Sequence, residues 1–320
     1  MIHLSHISKN YKVPIRDGGI KSALKSFVHR EYRDIKALDD ISFDIPKGQI
    51  VGYIGPNGAG KSTTIKIMTG ILRPDHGICT IDNISPFSNR KQHAKQIGVV
   101  FGQRTQLWWD IPVIDSFELI KDMYDIPIVD YHERLAELTD LLNLNDLLTM
   151  PTRQLSLGQR MRCDIAAALL HDPKVLFLDE PTIGLDAPSK VAVRQFIKKI
   201  NEKHQTTVVL TTHDMQDIES LVDRIILIGK GKILFDGSMM ELKKSYPMRK
   251  NLKIQYEGSL RPSSHYIIES DTGNYATLLI EGSVQKALTQ LNTDLVIQDF
   301  EVGSESLDDL IIKIYEDYDI

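Results

Sequence analysis

Four short runs along the chain are apolar at nearly every position. They are QIVGYIG (Gln49–Gly55), IGVVFGQ (Ile97–Gln103), KVLFLDE (Lys174–Glu180) and TTVVLTTH (Thr206–His213). Unbroken apolar and β-branched runs of this length suit the strands of a parallel sheet covered on both faces. Each run ends in residues that can do chemistry: a glycine loop, Gln103, a pair of acids and His213. Open α/β sheets bind ligands beyond the carboxyl ends of their strands, so these four ends predict one site. A different pattern marks IKALDDISFDI (Ile35–Ile45), whose apolar members are Leu38, Ile41, Phe43 and Ile45, and GICTID (Gly77–Asp82). Their alternation predicts a small antiparallel layer beside the main sheet. Helical spacing is clearest in RLAELTDLLNL (Arg134–Leu144), through Leu135, Leu138, Leu141 and Leu142.

The pattern changes after about Gly237. Strand-like runs at Leu252–Tyr256, Tyr275–Glu281 and Leu295–Val302 alternate with two helical stripes. One stripe is Val284, Ala287, Leu288 and Leu291. The other is Leu307, Leu310, Ile311 and Ile314, opened by Ser306 and Asp309 at capping-box spacing. SLRPSSH (Ser259–His265) reads as a loop. The expected organisation is an α/β domain over 1–240 and a compact α+β domain over 241–320.

Composition narrows the class. The 320 residues are 42% hydrophobic and 25% charged, the balance of a chain with a sizeable core. A formal net charge of -5 argues against nucleic acid as a partner, which favours a basic face. No apolar run is long enough to span a bilayer, and MIHLSHISKNYK lacks a signal-peptide pattern. A cytoplasmic location is expected. Cys79 and Cys163 have no metal-type spacing and read as reduced core residues.

The loop after the first run, GPNGAGKST, fits G-x-x-x-x-G-K-[ST] through Gly55, Gly60, Lys61 and Ser62. It follows a predicted strand and precedes a predicted helix. Its glycines bare backbone N–H groups that, with the helix N-terminus, cradle phosphates. Lys61 would bind the β- and γ-phosphates, Ser62 would place its hydroxyl on Mg²⁺, and Thr63 adds a phosphate contact. Pro56, Asn57, Gly58 and Ala59 complete the ATP-binding loop. Asp179, at the end of a buried strand, reads as the carboxylate on the Mg²⁺ side. Glu180, next in sequence, is placed to orient and polarise water. A second phosphate-reading pattern is QLSLGQRMRCDIAAALL (Gln154–Leu170), where Ser156 and Gln159 have capping-box spacing and Gly158 would let a ligand approach the backbone.

The order GPNGAGKST, VVFGQ, LSLGQ, VLFLDEP, TIGLD and LTTHD resembles the nucleotide-binding subunit of ATP-binding cassette (ABC) transporters over roughly residues 1 to 240. The resemblance implies a P-loop NTPase with a parallel-sheet core, an antiparallel β subdomain and a helical subdomain at about 104–172. It implies that Gln103 touches Mg²⁺ and senses a membrane partner, and that His213 contacts the γ-phosphate. It makes Ser156, Leu157, Gly158 and Gln159 a signature that reads the ATP of a second copy, and Asp186 part of a loop crossing to that copy. Tyr11 takes the place of the aromatic that stacks on adenine.

Three departures stand out. Leu157 replaces the first glycine of L-S-G-G-Q, and Gly102 stands where proline is common. An insert at about 13–36 makes Tyr32 a rival to Tyr11. Within it Ile20, Leu24, Phe27 and Val28 can form a helical stripe ringed by Lys21, Lys25, Arg30, Arg33 and Lys36. That pattern suits a solvated surface helix, or a basic helix near lipid or a permease loop. Trp108 and Trp109 suit either a groove for a permease helix or core packing. These features, with the C-terminal domain, resemble the drug- and viologen-export-type branch, whose permeases are separate chains. The expectation is an ATPase subunit that pairs with itself or a close relative, uses ATP and Mg²⁺, and sits on the cytoplasmic face through an integral membrane permease. An ATPase acting on ribosomes or DNA, and an importer, are the alternatives.

Overall fold

A computed structural model describes residues 1–14, 32–102, 104–246, 249–318 and 320. They form two compact units, Met1–Met239 and Met240–Ile320.

In the first unit, β1 (Ile2–Pro14), β2 (Tyr32–Ile45) and β4 (His76–Ile81) make an antiparallel sheet in the order β2-β1-β4. A six-stranded sheet follows the order β5-β6-β7-β3-β8-β9. Its strands are β3 (Ile50–Ile54), β5 (Ile97–Phe101), β6 (Val175–Asp179), β7 (Thr207–Thr211), β8 (Arg224–Gly229) and β9 (Lys232–Ser238). All neighbours are parallel except the β8–β9 hairpin. The four apolar runs are therefore adjacent strands of one sheet. The hairpin was not among them; it turns at Lys230 and Gly231, with φ of 46° and 77°.

Alternation along each strand divides the core in two. Val51, Tyr53, Phe177, Val209 and Ile226 meet the small β layer (Leu4, Ile41, Phe43) and helix α1 (Lys61–Met68). Val100, Leu176, Leu178, Val208 and Leu210 face the opposite way. There they meet α3 (Val113–Met123), α4 (Ile128–Leu142), α5 (Leu157–Leu169) and α6 (Ala187–His204). Two short helices complete the unit, α2 (Arg90–Ala94) and α7 (Met215–Leu221). The helix expected from Arg134 belongs to α4, which stops at Asn143 in a left-handed conformation. Cys79 and Cys163 are free and buried, and burial pushes both thiols up to about 12.

One expectation is corrected. Arg33 and Lys36, assigned to a helix in the insert, belong to β2, which pairs with β1 as far as Tyr32. Tyr32, Ile35, Tyr11 and Val13 supply the aromatic and β-branched residues that favour a strand ribbon there. Ile20, Leu24, Phe27 and Val28, with Lys21, Lys25 and Arg30, lie outside the described residues.

In the second unit, β10 (Lys250–Gly258), β11 (Tyr266–Asp271), β12 (Tyr275–Ile280) and β13 (Leu295–Ser304) form an antiparallel sheet in the order β11-β12-β10-β13. Helix α8 (Met239–Ser245) leads into it. Ala287 and Leu291 of α9 (Val284–Asp294) pack on Leu252, Ile254, Tyr256 and Leu278. Ser306 and Asp309 form the expected capping box at the start of α10 (Leu307–Asp317). Strand β11 was not anticipated. No helix among the described residues is long and apolar enough to cross a membrane.

Candidate functional site

The glycine loop joins β3 to α1, and each special residue in it has its own physical reason. A Cβ on Gly55 would lie 2.4 Å from the Ile228 carbonyl oxygen. Gly58 has open space around it but a φ of 82°, which L side chains rarely adopt. Gly60 combines both demands, with φ 113° and a Cβ position 2.7 Å from the Ala37 carbonyl oxygen. The loop is braced by Ala59 N–H on the Pro56 carbonyl and by Gly231 N–H on the Ala59 carbonyl. Lys61 is buried and donates from Nζ to the carbonyls of Gly55 at 2.5 Å and Pro56 at 3.2 Å. Burial lowers the pKa of its ammonium, against the pull of Glu180 and Asp179.

Ser62, Asp179 and Glu180 line one cleft of about 410 Å³, together with Lys66, Ile71, Phe101, Gly102 and Arg104. Asp179 ends β6 beside Thr211, whose hydroxyl donates to Asp179 Oδ1 at 2.5 Å. The backbone N–H of Glu180 donates to that same hydroxyl at 3.2 Å and to the Thr211 carbonyl at 3.0 Å. Glu180 has a φ of 56°, a strained value for a non-glycine residue of the kind that clusters at functional sites. Its Oε1 lies 3.0 Å from His213 Nε2. Gly102 packs directly on this turn, for a Cβ there would meet the Glu180 carbonyl oxygen at 2.2 Å. This close approach gives the departure at Gly102 a structural reason. Gln103 lies outside the described residues.

Asp217, in α7, is fully buried. It accepts from Thr182 at 2.5 Å, Thr212 at 2.8 Å and Arg194 Nε at 2.5 Å. One carboxylate thus ties the segment after Glu180 to the segment before His213. Sequence reading missed Thr211, Asp217 and Arg104. Thr211 and Asp217 owe their places to Asp179 and Thr182, which lie far away along the chain.

The second phosphate-reading pattern does not line this cleft. Ser156 caps α5: its Oγ accepts from Gln159 N–H at 3.2 Å, and Gln159 Oε1 accepts from Ser156 N–H at 2.8 Å. Ser156 is exposed, and the helix N-terminus is a ready anion site. Gly158 is buried, and a Cβ on it would meet Ser189 Oγ at 2.6 Å. Its bareness therefore serves packing within the chain. Leu157 joins the main core and lies beside Gly184. Asp186 caps α6 by accepting from Ser189 N–H at 3.1 Å. Hydrogen bonding from Ser189 lowers the pKa of its carboxyl.

Tyr11 and Tyr32 are both exposed, but on opposite faces of the β1–β2 ribbon. Tyr11 pairs with Ile35, and Tyr32 is three residues from Ile35 on the same strand. Lys9, two residues before Tyr11, pairs with Leu38, whose side chain lies against Gly60. A register shift lies between Lys9 and Asn10, so the strand pairing assigns the glycine-loop face to neither tyrosine. Trp108 and Trp109 are 42% and 51% exposed, so neither is a core residue.

The oxygen donors of Ser62 and Asp179 in one cleft fit Mg²⁺, which takes few protein ligands when phosphates supply the rest. No cluster of three His, Cys, Asp or Glu able to hold a metal occurs among the described residues.

The family model described as ABC transporter matches residues 38–183. The chain is 30% identical to the daunorubicin/doxorubicin resistance ATP-binding protein DrrA of Streptomyces peucetius, over 88% of this chain and 89% of that protein. It is 31% identical to the ABC transporter ATP-binding protein NatA of Bacillus subtilis, over 66% of this chain and 85% of that protein. It is 33% identical to a probable sulfate/thiosulfate import ATP-binding protein, CysA of Chlorella vulgaris, over 69% and 93%. Among solved structures, a dimeric ATP-binding cassette in a post-hydrolysis state, bound to ADP and Pi, is similar with a TM-score of 0.62 at 28% identity. That match covers 75% of this chain and 99% of the other.

Proposed function

Because the chain belongs to the ATP-binding proteins of ABC transporters and is an ATPase, we propose that it is the motor of an exporter whose membrane-spanning permease is a separate chain. Export is favoured by the extent of the likeness. The match to DrrA runs over 295 residues, and that to the import protein over 221.

The observation that carries the catalytic reading is the contact of Glu180 with His213 beside the cleft shared by Ser62 and Asp179. ATP would lie along the glycine loop, its phosphates on the backbone N–H groups at the start of α1. Tyr11 would stack on the adenine. Lys61 would exchange the carbonyls of Gly55 and Pro56 for the β- and γ-phosphates. Ser62 and Asp179, with Gln103, would hold Mg²⁺, which neutralises charge on the phosphate oxygens when bound. Glu180 would accept the proton of the attacking water, and His213 would hold Glu180 in place and reach the γ-phosphate.

Two copies would pair head to tail; the cassette it resembles is dimeric. Ser156 and the α5 N-terminus of one copy would then complete the ATP site of the other, with Asp186 crossing beside it. Closing on two ATP would drive the permease, and hydrolysis would reopen the pair. No nucleic acid is expected as a partner. The test is to solubilise membranes and purify the tagged chain. An integral membrane protein should co-purify with it; recovery with ribosomes instead would reject the transport reading.

A further inference from the structure

Helix α5 carries one feature that its cap does not explain. Asp164 sits in the middle of it, 4% exposed, between Cys163 and the run Ile165, Ala166, Ala167, Ala168. A carboxylate there breaks the apolar pattern and costs stability unless its partners repay it. Its partners all come from the segment that follows Gln103. The Thr105 hydroxyl donates to Asp164 Oδ1 at 2.8 Å, and Gln106 N–H donates to the same oxygen at 3.0 Å. Gln106 Nε2 donates in return to the Asp164 carbonyl at 2.8 Å. Thr105 also accepts from Leu107 N–H at 3.1 Å, which fixes the next turn of the segment.

A second set of contacts joins the same two elements. Arg160, one turn nearer the start of α5, stands over the Trp109 ring at 5.9 Å. The Trp109 carbonyl accepts from Arg153 N–H at 3.0 Å, and Arg153 pairs with Asp110 at 2.8 Å. The segment leaving the phosphate cleft at Arg104 is thereby fastened to the helix whose first turn is the Ser156 cap.

We propose that Asp164 is a positioning residue for ATP hydrolysis, holding the Thr105–Gln106 segment and the α5 N-terminus as one body so that the two reach the nucleotide together. The assignment rests on the reading that Ser156 completes the ATP site of a second copy. Burial raises the Asp164 carboxyl to about 6, opposed by its hydrogen bonds with Thr105 and Gln106 and by the nearby Arg160. The helix thus carries an acid that its surroundings disfavour in charged form, and the segment's donors recover part of that cost. Arg160 is the charged neighbour among the largest influences on this carboxyl.

The test uses the full chain and five variants. Asp164→Ala and Thr105→Val should each lower kcat for ATP about tenfold, with ATP affinity of the monomer within about twofold of wild type. The double variant should be no worse than Asp164→Ala, because both changes remove one contact. Asp164→Asn keeps the acceptor oxygen and should restore kcat to within about threefold. If Asp164→Ala folds poorly, Thr105→Val carries the test, since it leaves the carboxylate in place. Wild-type kcat in Thr105→Val, or additive losses in the double variant, would overturn the proposal. Ser156→Arg, run alongside, separates the two readings. If it retains wild-type turnover, the reading of Ser156 fails; if it is inactive while Thr105→Val is normal, only Asp164 fails.

Discussion

Thr211 Oγ1 lies 2.5 Å from Asp179 Oδ1, where two parallel strands end side by side. The same hydroxyl accepts from the N–H of Glu180, so one side chain sets the direction of both acids. Thr211→Val keeps the shape and the strand but removes the hydroxyl. It should lower turnover about tenfold, the cost of one lost hydrogen bond to a charged group. Half-maximal turnover should also need more Mg²⁺, and Thr211→Ser should restore both. A Mg²⁺ titration of ATPase activity checks this; an unchanged titration would place Thr211 outside the site.

Gly102→Ala tests the close approach to the acid turn. The added Cβ would sit 2.2 Å from the Glu180 carbonyl oxygen, a distance that only movement can relieve. Turnover should fall at least about tenfold, through the displaced Glu180, while ATP binding at the glycine loop stays near wild type. Separate measurements of nucleotide affinity and kcat distinguish these effects.

Asp164 should leave a mark on stability against pH. Its folded pKa, about 6, stands above the ordinary value of 3.8. The folded state then binds more protons than the unfolded state between these values, so stability falls as pH rises from about 4 to about 6. The charged form is disfavoured by about 3 kcal/mol above that window, an order-of-magnitude figure. Asp164→Asn cannot titrate. Its stability relative to wild type should therefore improve as pH rises from 4 to 7, measured by denaturant unfolding. A difference constant with pH would contradict the assignment.

Leu157 is part of the main core, beside Gly184, although it stands inside a phosphate-reading sequence. Leu157→Gly removes that packing and places glycine in the first turn of α5. It should cost about 1–3 kcal/mol of stability. ATP turnover at low temperature should stay within severalfold of wild type, since the Ser156 cap remains. Thermal unfolding and ATPase assays on one preparation test both halves.

The glycine loop and the two acids were legible because their chemistry is contiguous in sequence. Lys61, Ser62, Asp179 and Glu180 are local features of strand ends. The capping pair Ser156 and Gln159 was legible for the same reason. What could not be read depends on partners far along the chain. Gly102 needs the Glu180 carbonyl, Gly158 needs Ser189, and Asp164 needs Thr105. Gly158 is the instructive case: its close packing on Ser189, in another helix of the same chain, had no signal in the sequence. Arg33 and Lys36 show the reverse error, where charge at helical spacing masked strand pairing with β1.

The central claim is that each ATP is read by two copies of the chain, the glycine loop of one and Ser156 of the other. Co-expression of Glu180→Gln with Ser156→Arg tests it most directly. Each variant alone should lack turnover, because one lacks the base and the other lacks a usable signature. A mixed pair contains one site with an intact glycine loop, Glu180 and a facing Ser156. The mixture should recover up to about a quarter of wild-type ATPase activity, set by random pairing and one live site per mixed pair. A mixture as silent as its parents, or full turnover by Ser156→Arg alone, would contradict the account.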